Sequence, residues 1–160
     1  MLIDEGLLGR VRLPLLAVSP LVPTKAACDL IGDDLAPITQ VRLAEFEHDS
    51  TLVDLSMSLV KRFAGTWIPE RRLRHMFPDQ VHIPDGLLRC RDGDIAIELE
   101  LSCKAPRRLE EILATHAANL SVRETWYVTD NEAVARLVRR VADGHPQIKI
   151  VRFNRKSRDG

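Results

Sequence analysis

The stretch DIAIELELSCK, residues 94–104, alternates apolar and polar side chains almost without interruption. Because successive side chains of a β-strand point to opposite faces of a sheet, this period of two predicts a strand with one buried face. Glu98 and Glu100 fall in the polar series, and we expect them to share the opposite, more open face. The apolar series, which we expect to be buried, consists of Ile95, Ile97, Leu99 and Leu101.

The segments that flank this strand predict a mixed α/β sheet. The dipeptide Asp92-Gly93 is typical of a tight hairpin turn, so residues 81–102 should form two antiparallel strands. Helical and strand patterns then alternate, in the order RRLEEILATHAANL, ETWYVTD, NEAVARLVRRVADG and IKIVRF. The order after residue 80 is therefore strand, strand, helix, strand, helix, strand.

The residues before this sheet predict helices. Apolar side chains recur at helical spacing over residues 41–63, and the polar run HDST, residues 48–51, is expected to break the segment into two helices. Trp67 and Pro69 are expected in the connection that follows. Further upstream, TKAACDLIG, residues 24–32, predicts a short capped helix.

The composition bounds the class of protein. A chain of 160 residues with 45% hydrophobic residues is long enough for one compact domain, or for one domain with a small appendage. Lys and Arg together number 23, as do Asp and Glu, so net charge gives no general attraction to nucleic acid or to anionic membranes. No apolar run approaches ~18 residues, so a membrane span is not expected. The three cysteines lack C-x-x-C spacing, which argues against a zinc site or disulfide framework and is typical of the cytoplasm.

Three carboxylates are candidates for one site. Asp85 follows Pro84 at the start of the strand that pairs with residues 95–101, and neighbouring strands lie roughly 5 Å apart. Asp85, Glu98 and Glu100 could therefore converge, and such oxygen donors suit Mg²⁺ or Mn²⁺. Lys104 is the candidate group for stabilising a developing phosphate charge or orienting a water molecule. The alternative is a solvated sheet face beside an Asp in a turn.

The pattern HIPDGLL…DGDIAIELELSCKAPRRLEEILATH…WYVTD resembles the C-terminal domain of the replication-relaxation family. Pro84-Asp85 followed by an acid on the next strand is similar to the PD-(D/E)xK nuclease-like fold, a restriction-endonuclease-like mixed sheet flanked by helices. Proteins of this family are encoded on plasmids and integrated mobile elements, and they join a winged-helix DNA-binding domain to the nuclease-like domain. The resemblance implies a partial winged-helix remnant, a nuclease-like α/β domain and a basic flexible tail, at residues 1–35, 36–152 and 153–160.

One position departs from the nuclease pattern. The pattern places a lysine two residues after the second acid, where this chain has Glu100, and Lys104 follows four residues later. A regular strand puts Lys104 about 13 Å further along. Glu70 is a further candidate carboxylate, with a surface ion pair as its alternative. His75, His82 and His116 share no spacing that indicates a metal site, so no ligand role is predicted for them.

The resemblance implies a cytoplasmic DNA-binding or DNA-processing protein that acts in replication, relaxation or mobilisation. Asp85, Glu98, Glu100 and Lys104 are its candidate catalytic residues, and Mg²⁺ or Mn²⁺ bound by the three acids is its candidate cofactor. Two alternatives stay open: an active Mg²⁺-dependent endonuclease, and a non-enzymatic transcriptional regulator or interaction module. A homodimer is also left open.

Basic residues cluster in the second half of the chain, where they could contact DNA phosphates without reading sequence. The alternative is a set of solvated helix faces with a soluble tail. The candidate phosphate contacts are Arg107, Arg108, Arg152, Arg155 and Lys156.

Overall fold

A computed structural model of the protein describes residues 2–13, 19–102, 105–118 and 121–153. The chain divides into two compact units, Met1–Asp49 and Ser50–Gly160, with the boundary inside one long helix. None of the described helices is both long and apolar enough to cross a membrane.

The first unit contains a small hairpin followed by a short helix. Strands β1 (Leu8–Arg10) and β2 (Leu21–Pro23) pair in antiparallel fashion, and helix α1 spans Lys25–Leu30. Thr24 is the N-cap of α1, because its hydroxyl accepts a hydrogen bond from the amide of Ala27 at 3.3 Å. The predicted capped helix is confirmed, and the winged-helix interpretation of this unit stays a prediction.

Helix α2 (Leu43–Phe63) is continuous over 21 residues, so the predicted break at residues 48–51 is wrong. Thr51 is buried and lies one helical turn before the buried Leu55. The helical period therefore runs straight through the polar run, and the tertiary contacts of this face outweigh the low helix propensity of its Ser and Thr residues.

The second unit is built on a five-stranded mixed sheet whose strands follow chain order, β3-β4-β5-β6-β7. The first three strands are antiparallel, and the last two join in parallel, which requires helical crossovers. After α2 the elements are β3 (Thr66–Pro69), α3 (Glu70–Met76), β4 (Gly86–Arg89), β5 (Ile95–Leu99), α4 (Pro106–Ala118), β6 (Glu124–Thr129), α5 (Glu132–Val141) and β7 (Ile148–Arg152).

This order confirms the mixed α/β sheet and the hairpin between β4 and β5, where Gly93 has a positive φ of 114°. The connection expected around Trp67 and Pro69 is instead the edge strand β3. A strand of four residues is too short to show a period of two in the sequence. Only its pairing with β4 in the structure identifies it as a strand.

The two faces of the sheet are both covered. Ile95, Ile97 and Leu99 are buried against α2, as predicted, where they meet Leu55 and Leu59. Leu101 lies beyond the end of β5 and is only partly buried.

The opposite face of the sheet is a second buried layer. Ala96 packs there with Leu73 of α3, and Tyr127 packs with residues of α4 and α5. The prediction of a more open face is therefore wrong, because Glu98 and Glu100 are only 4% and 6% exposed. Three helices cover the face that the alternation alone made look like a surface.

Candidate acidic site

Asp85 is fixed at the start of β4, directly opposite the end of β5. The last residue pair of the β4–β5 ladder is Gly86 with Ile97, so Asp85 lies one step beyond it, across from Glu98. Its carboxylate Oδ2 accepts a hydrogen bond from the backbone amide of Leu99 at 2.7 Å. The Asp85 side chain thus replaces the next ladder bond, and a charged acceptor makes this bond stronger than a neutral one.

The close approach of Trp67 explains why residue 86, next to Asp85, is a glycine. A Cβ atom at this position would lie 2.0 Å from Cζ2 of Trp67, which stands on the neighbouring strand β3. Only a residue without a side chain allows this approach. On the same side of the site, the carbonyl of Asp85 accepts a hydrogen bond from the amide of Glu70 at 3.1 Å. Asp85 is therefore held through its backbone carbonyl by the first residue of α3 and through its side chain by β5.

The Glu98 side chain is buried between the sheet and the helices that cover it, and it forms a hydrogen bond with a histidine. His82 Nε2 lies 2.8 Å from Glu98 Oε1, and the two side chains are 18% and 5% exposed. A hydrogen bond therefore joins the imidazole to the Glu98 carboxyl group. The sequence indicated no role for His82. Its contact with Glu98 joins residues 16 positions apart and depends on the tertiary fold.

Glu100 extends the parallel half of the site. Its backbone amide donates to the carbonyl of Val128 at 2.9 Å, which carries the β5–β6 pairing one residue beyond β5. Glu98 pairs in register with Tyr127 on β6, so these two side chains point to the same face of the sheet.

The strand register brings the three acids together beside Tyr127. Asp85 lies across from Glu98, and Glu100 follows Glu98 on the same face. Burial raises the pKa of the Tyr127 phenol far above the usual value, and the negative charges of Glu98, Glu100 and Asp85 raise it further. All three predicted carboxylates thus act on one hydroxyl, that of the single tyrosine in the chain. Tyr127 was not predicted as a site residue, because its place beside Glu98 depends on the register between strands that are far apart in sequence.

The acids were also predicted to bind a metal. Among the described residues, no group of three or more His, Cys, Asp and Glu side chains is arranged to hold a metal ion. One oxygen of Asp85 accepts the Leu99 amide and one oxygen of Glu98 binds His82. Lys104 lies outside the described residues, so its predicted catalytic role stays a prediction.

The basic residues predicted to contact phosphates are exposed wherever the structure describes them, and each of these forms an ion pair with a glutamate. Arg107 and Arg108 begin α4, and each lies 3.5 Å from Glu111. Arg152 of β7 forms an ion pair with Glu132 of α5. Arg155 and Lys156 lie outside the described residues.

Glu70 contacts the acidic cluster through its backbone amide, which donates to the carbonyl of Asp85, whereas its carboxylate is paired elsewhere. It forms an ion pair with Arg74 one turn along α3, with Arg74 Nε donating to Glu70 Oε1 at 2.8 Å. The surface ion pair named as its alternative is therefore present.

The second unit thus defines an α/β protein with a mixed sheet between helices and a buried acidic cluster around Tyr127. In comparisons with known proteins, no family model matches the chain, and no curated protein or solved structure matches it significantly. Function is therefore inferred from the fold and the site.

Proposed function

We propose that this chain is a nuclease-like DNA-binding protein of a plasmid or integrated mobile element, acting in replication, relaxation or mobilisation. The observation that carries the proposal is the strand register that brings the three acids together beside Tyr127, where the antiparallel pair β4–β5 meets the parallel strand β6. Burying carboxylates is costly, so a plain surface strand does not account for acids that are 4% and 6% exposed.

The geometry of the acidic cluster argues against metal-dependent cleavage. Asp85, Glu98 and Glu100 are the oxygen donors that Mg²⁺ or Mn²⁺ would require, and such an ion would stabilise charge on a phosphate. The described arrangement does not fit this ion well, because His82 holds an oxygen of Glu98 and Glu100 stands at the expected lysine position. In the proposal, the acidic cluster is a nuclease site that has become structural.

Melting curves with and without millimolar Mn²⁺ test this point. Wild type should melt at the same temperature with and without Mn²⁺. His82→Ala removes the hydrogen bond to Glu98, and the melting temperature of this variant should rise when Mn²⁺ is added. The reason is that a ligand of the folded state stabilises that state by mass action. His75→Ala, on the exposed part of α3, is the matched control. A rise in wild type that Glu98→Ala abolishes, together with Mg²⁺-dependent cutting of DNA, would instead support the endonuclease alternative.

Fluorescence anisotropy with labelled duplex DNA tests binding itself. We expect weak binding that falls steeply with salt, since phosphate contacts release counterions. Neutralising the C-terminal cluster should weaken binding and flatten the salt slope by about 0.9 for each lost contact. The variant carries alanine at Arg152, Arg155, Lys156 and Arg158.

The control for this experiment removes the same charge from exposed arginines elsewhere in the second unit. Those residues are Arg74, Arg89, Arg91 and Arg123. Equal weakening by both variants would show that the C-terminal cluster has no special role. No binding of wild type to duplex or single strand at low salt would reject the proposal in favour of the interaction-module alternative.

A further inference from the structure

Aromatic and cationic side chains meet on the α2 face of the sheet, on the side opposite the acidic cluster. Phe63 at the end of α2 and Trp126 on β6 form an edge-to-face pair, with ring centroids 5.4 Å apart and an interplanar angle of 68°. The guanidinium carbon of Arg62 lies 5.4 Å from the centroid of the Phe63 ring. Lys149 on the edge strand β7 pairs in register with Trp126, so its side chain emerges from the same face beside the indole.

Within this group, Trp126 is held in place by packing and a hydrogen bond, whereas the other side chains are exposed. Trp126 packs against the core cluster under α2, and its indole Nε1–H donates to Glu124 Oε2 at 2.6 Å. Phe63 remains 37% exposed, although it is a large apolar side chain, and Arg62 and Lys149 are both exposed. The indole is thus held in one orientation while the phenyl ring and two cations face outward.

The charges of the group are unequal. Arg62 and Lys149 contribute two positive charges, and Glu124 contributes one negative charge that already accepts the indole hydrogen bond. The rim is therefore net positive beside an exposed aromatic ring. This combination suits a ligand that carries flat rings and regularly spaced negative charges.

We infer that Arg62, Phe63, Trp126 and Lys149 form a binding site for single-stranded nucleic acid. Unpaired bases stack on aromatic rings and on guanidinium planes, and lysine and arginine hold the adjoining phosphates. In a duplex, the faces of the bases are covered by their neighbours and cannot reach Phe63. The inference rests on the proposed function and deepens it, because it names the strand form recognised and the side chains that recognise it.

The test measures binding of labelled oligothymidylate, which forms no secondary structure of its own, beside a duplex of equal length. Phe63→Leu keeps an apolar side chain but removes the stacking ring, so single-strand affinity should fall about five-fold or more while duplex affinity stays the same. Phe63→Trp restores a ring and should keep wild-type affinity. Arg62→Ala and Lys149→Ala should each lower the single-strand salt slope by about 0.7.

Two further measurements complete the design. Arg136→Ala, an equal loss of charge on α5 at the opposite face, should leave oligothymidylate binding unchanged. In a Trp67→Phe background, Trp126 is the one remaining tryptophan, and its emission should change on saturation with oligothymidylate. Circular dichroism confirms that each variant is folded.

The outcomes separate this inference from the proposed function. If Phe63→Leu binds oligothymidylate as tightly as wild type, or weakens duplex and single strand alike, or if Trp126 emission does not change, the single-strand site is rejected. Duplex binding that persists in those cases leaves the proposed function standing. If wild type binds neither strand form, both fail.

Discussion

Individual hydrogen bonds decide whether carboxylates can be buried in this sheet. Removing a carboxylate from water is expensive unless donors replace the solvent. The Asp85 carboxylate accepts a hydrogen bond from the Leu99 amide at 2.7 Å, and Glu98 shares a hydrogen bond with His82 at 2.8 Å. Tyr127 lies beside them with its phenol kept protonated by burial and by their charges. The cluster is therefore largely buried and is tied to the backbone of β5 through Asp85.

Tyr127 gives a direct measurement of this environment. Its pKa is raised in the folded protein, whereas an unfolded tyrosine ionises near pH 10, so its contribution to stability is present below about pH 10 and is lost as the pH rises above that value. Since it is the single tyrosine, the ultraviolet absorbance of tyrosinate reports this residue alone. We expect no tyrosinate signal until the protein unfolds in alkali.

Two variants sharpen that titration. Tyr127→Phe keeps the ring in the core and should reduce the fall in unfolding free energy above pH 10, which for one proton is at most about 1.4 kcal/mol per pH unit. Glu98→Gln should lower the pKa of Tyr127 only in part, because burial is the largest cause of its shift. A reversible tyrosinate signal near pH 10 in protein that is still folded would contradict the described burial.

The junction between α2 and β3 shows how an element can end under strain. Ala64, the residue after the helix, has a φ of 48°, the one positive value at a residue other than glycine in the described part of the chain. Helices often end with such a residue, and glycine is preferred there because other residues pay a steric cost. Gly65 follows closely over β4, where a Cβ atom would lie 2.8 Å from the carbonyl oxygen of Arg89. The chain therefore turns from helix to strand within two residues.

Ala64→Gly should relieve this strain and raise the free energy of unfolding by about 1 kcal/mol. Ala114→Gly, at an exposed position inside α4, is the matched control and should lower it by about 1 kcal/mol, as glycine does in a helix interior. Urea unfolding followed by circular dichroism measures both. A loss of stability in both variants would show that Ala64 is not strained.

The elements also show which parts of the fold the sequence could predict. The strand β5 and its hairpin turn follow from local signals, a period of two and an Asp-Gly pair, and both are confirmed. The covered face behind Glu98 could not be predicted, because α3, α4 and α5 reach it only through tertiary packing. The same reason hid His82 and Tyr127, whose contacts with the acids join residues 16 and 29 positions apart.

Among the described residues, the apolar core clusters all belong to the second unit. Every member of the three core clusters, including the partly buried ones, lies between Leu52 and Phe153. Leu13 and Cys28 of the first unit are also buried, but they do not belong to any of these clusters. The acidic cluster and the aromatic–cationic site both belong to the second unit. Its stability should therefore depend little on the hairpin and short helix of the first.

A fragment spanning residues 41–160 tests this division, since it keeps all of α2 and every core cluster. We expect it to unfold cooperatively in urea, with an m-value below that of the full chain because less surface is exposed on unfolding. A second fragment, residues 66–160, lacks Leu55 and Leu59 and leaves the α2 face of β5 uncovered, so it should not unfold cooperatively. If the longer fragment also lacks a cooperative transition while the full chain shows one, residues 1–40 contribute to the core of the second unit, and the two units fold as one.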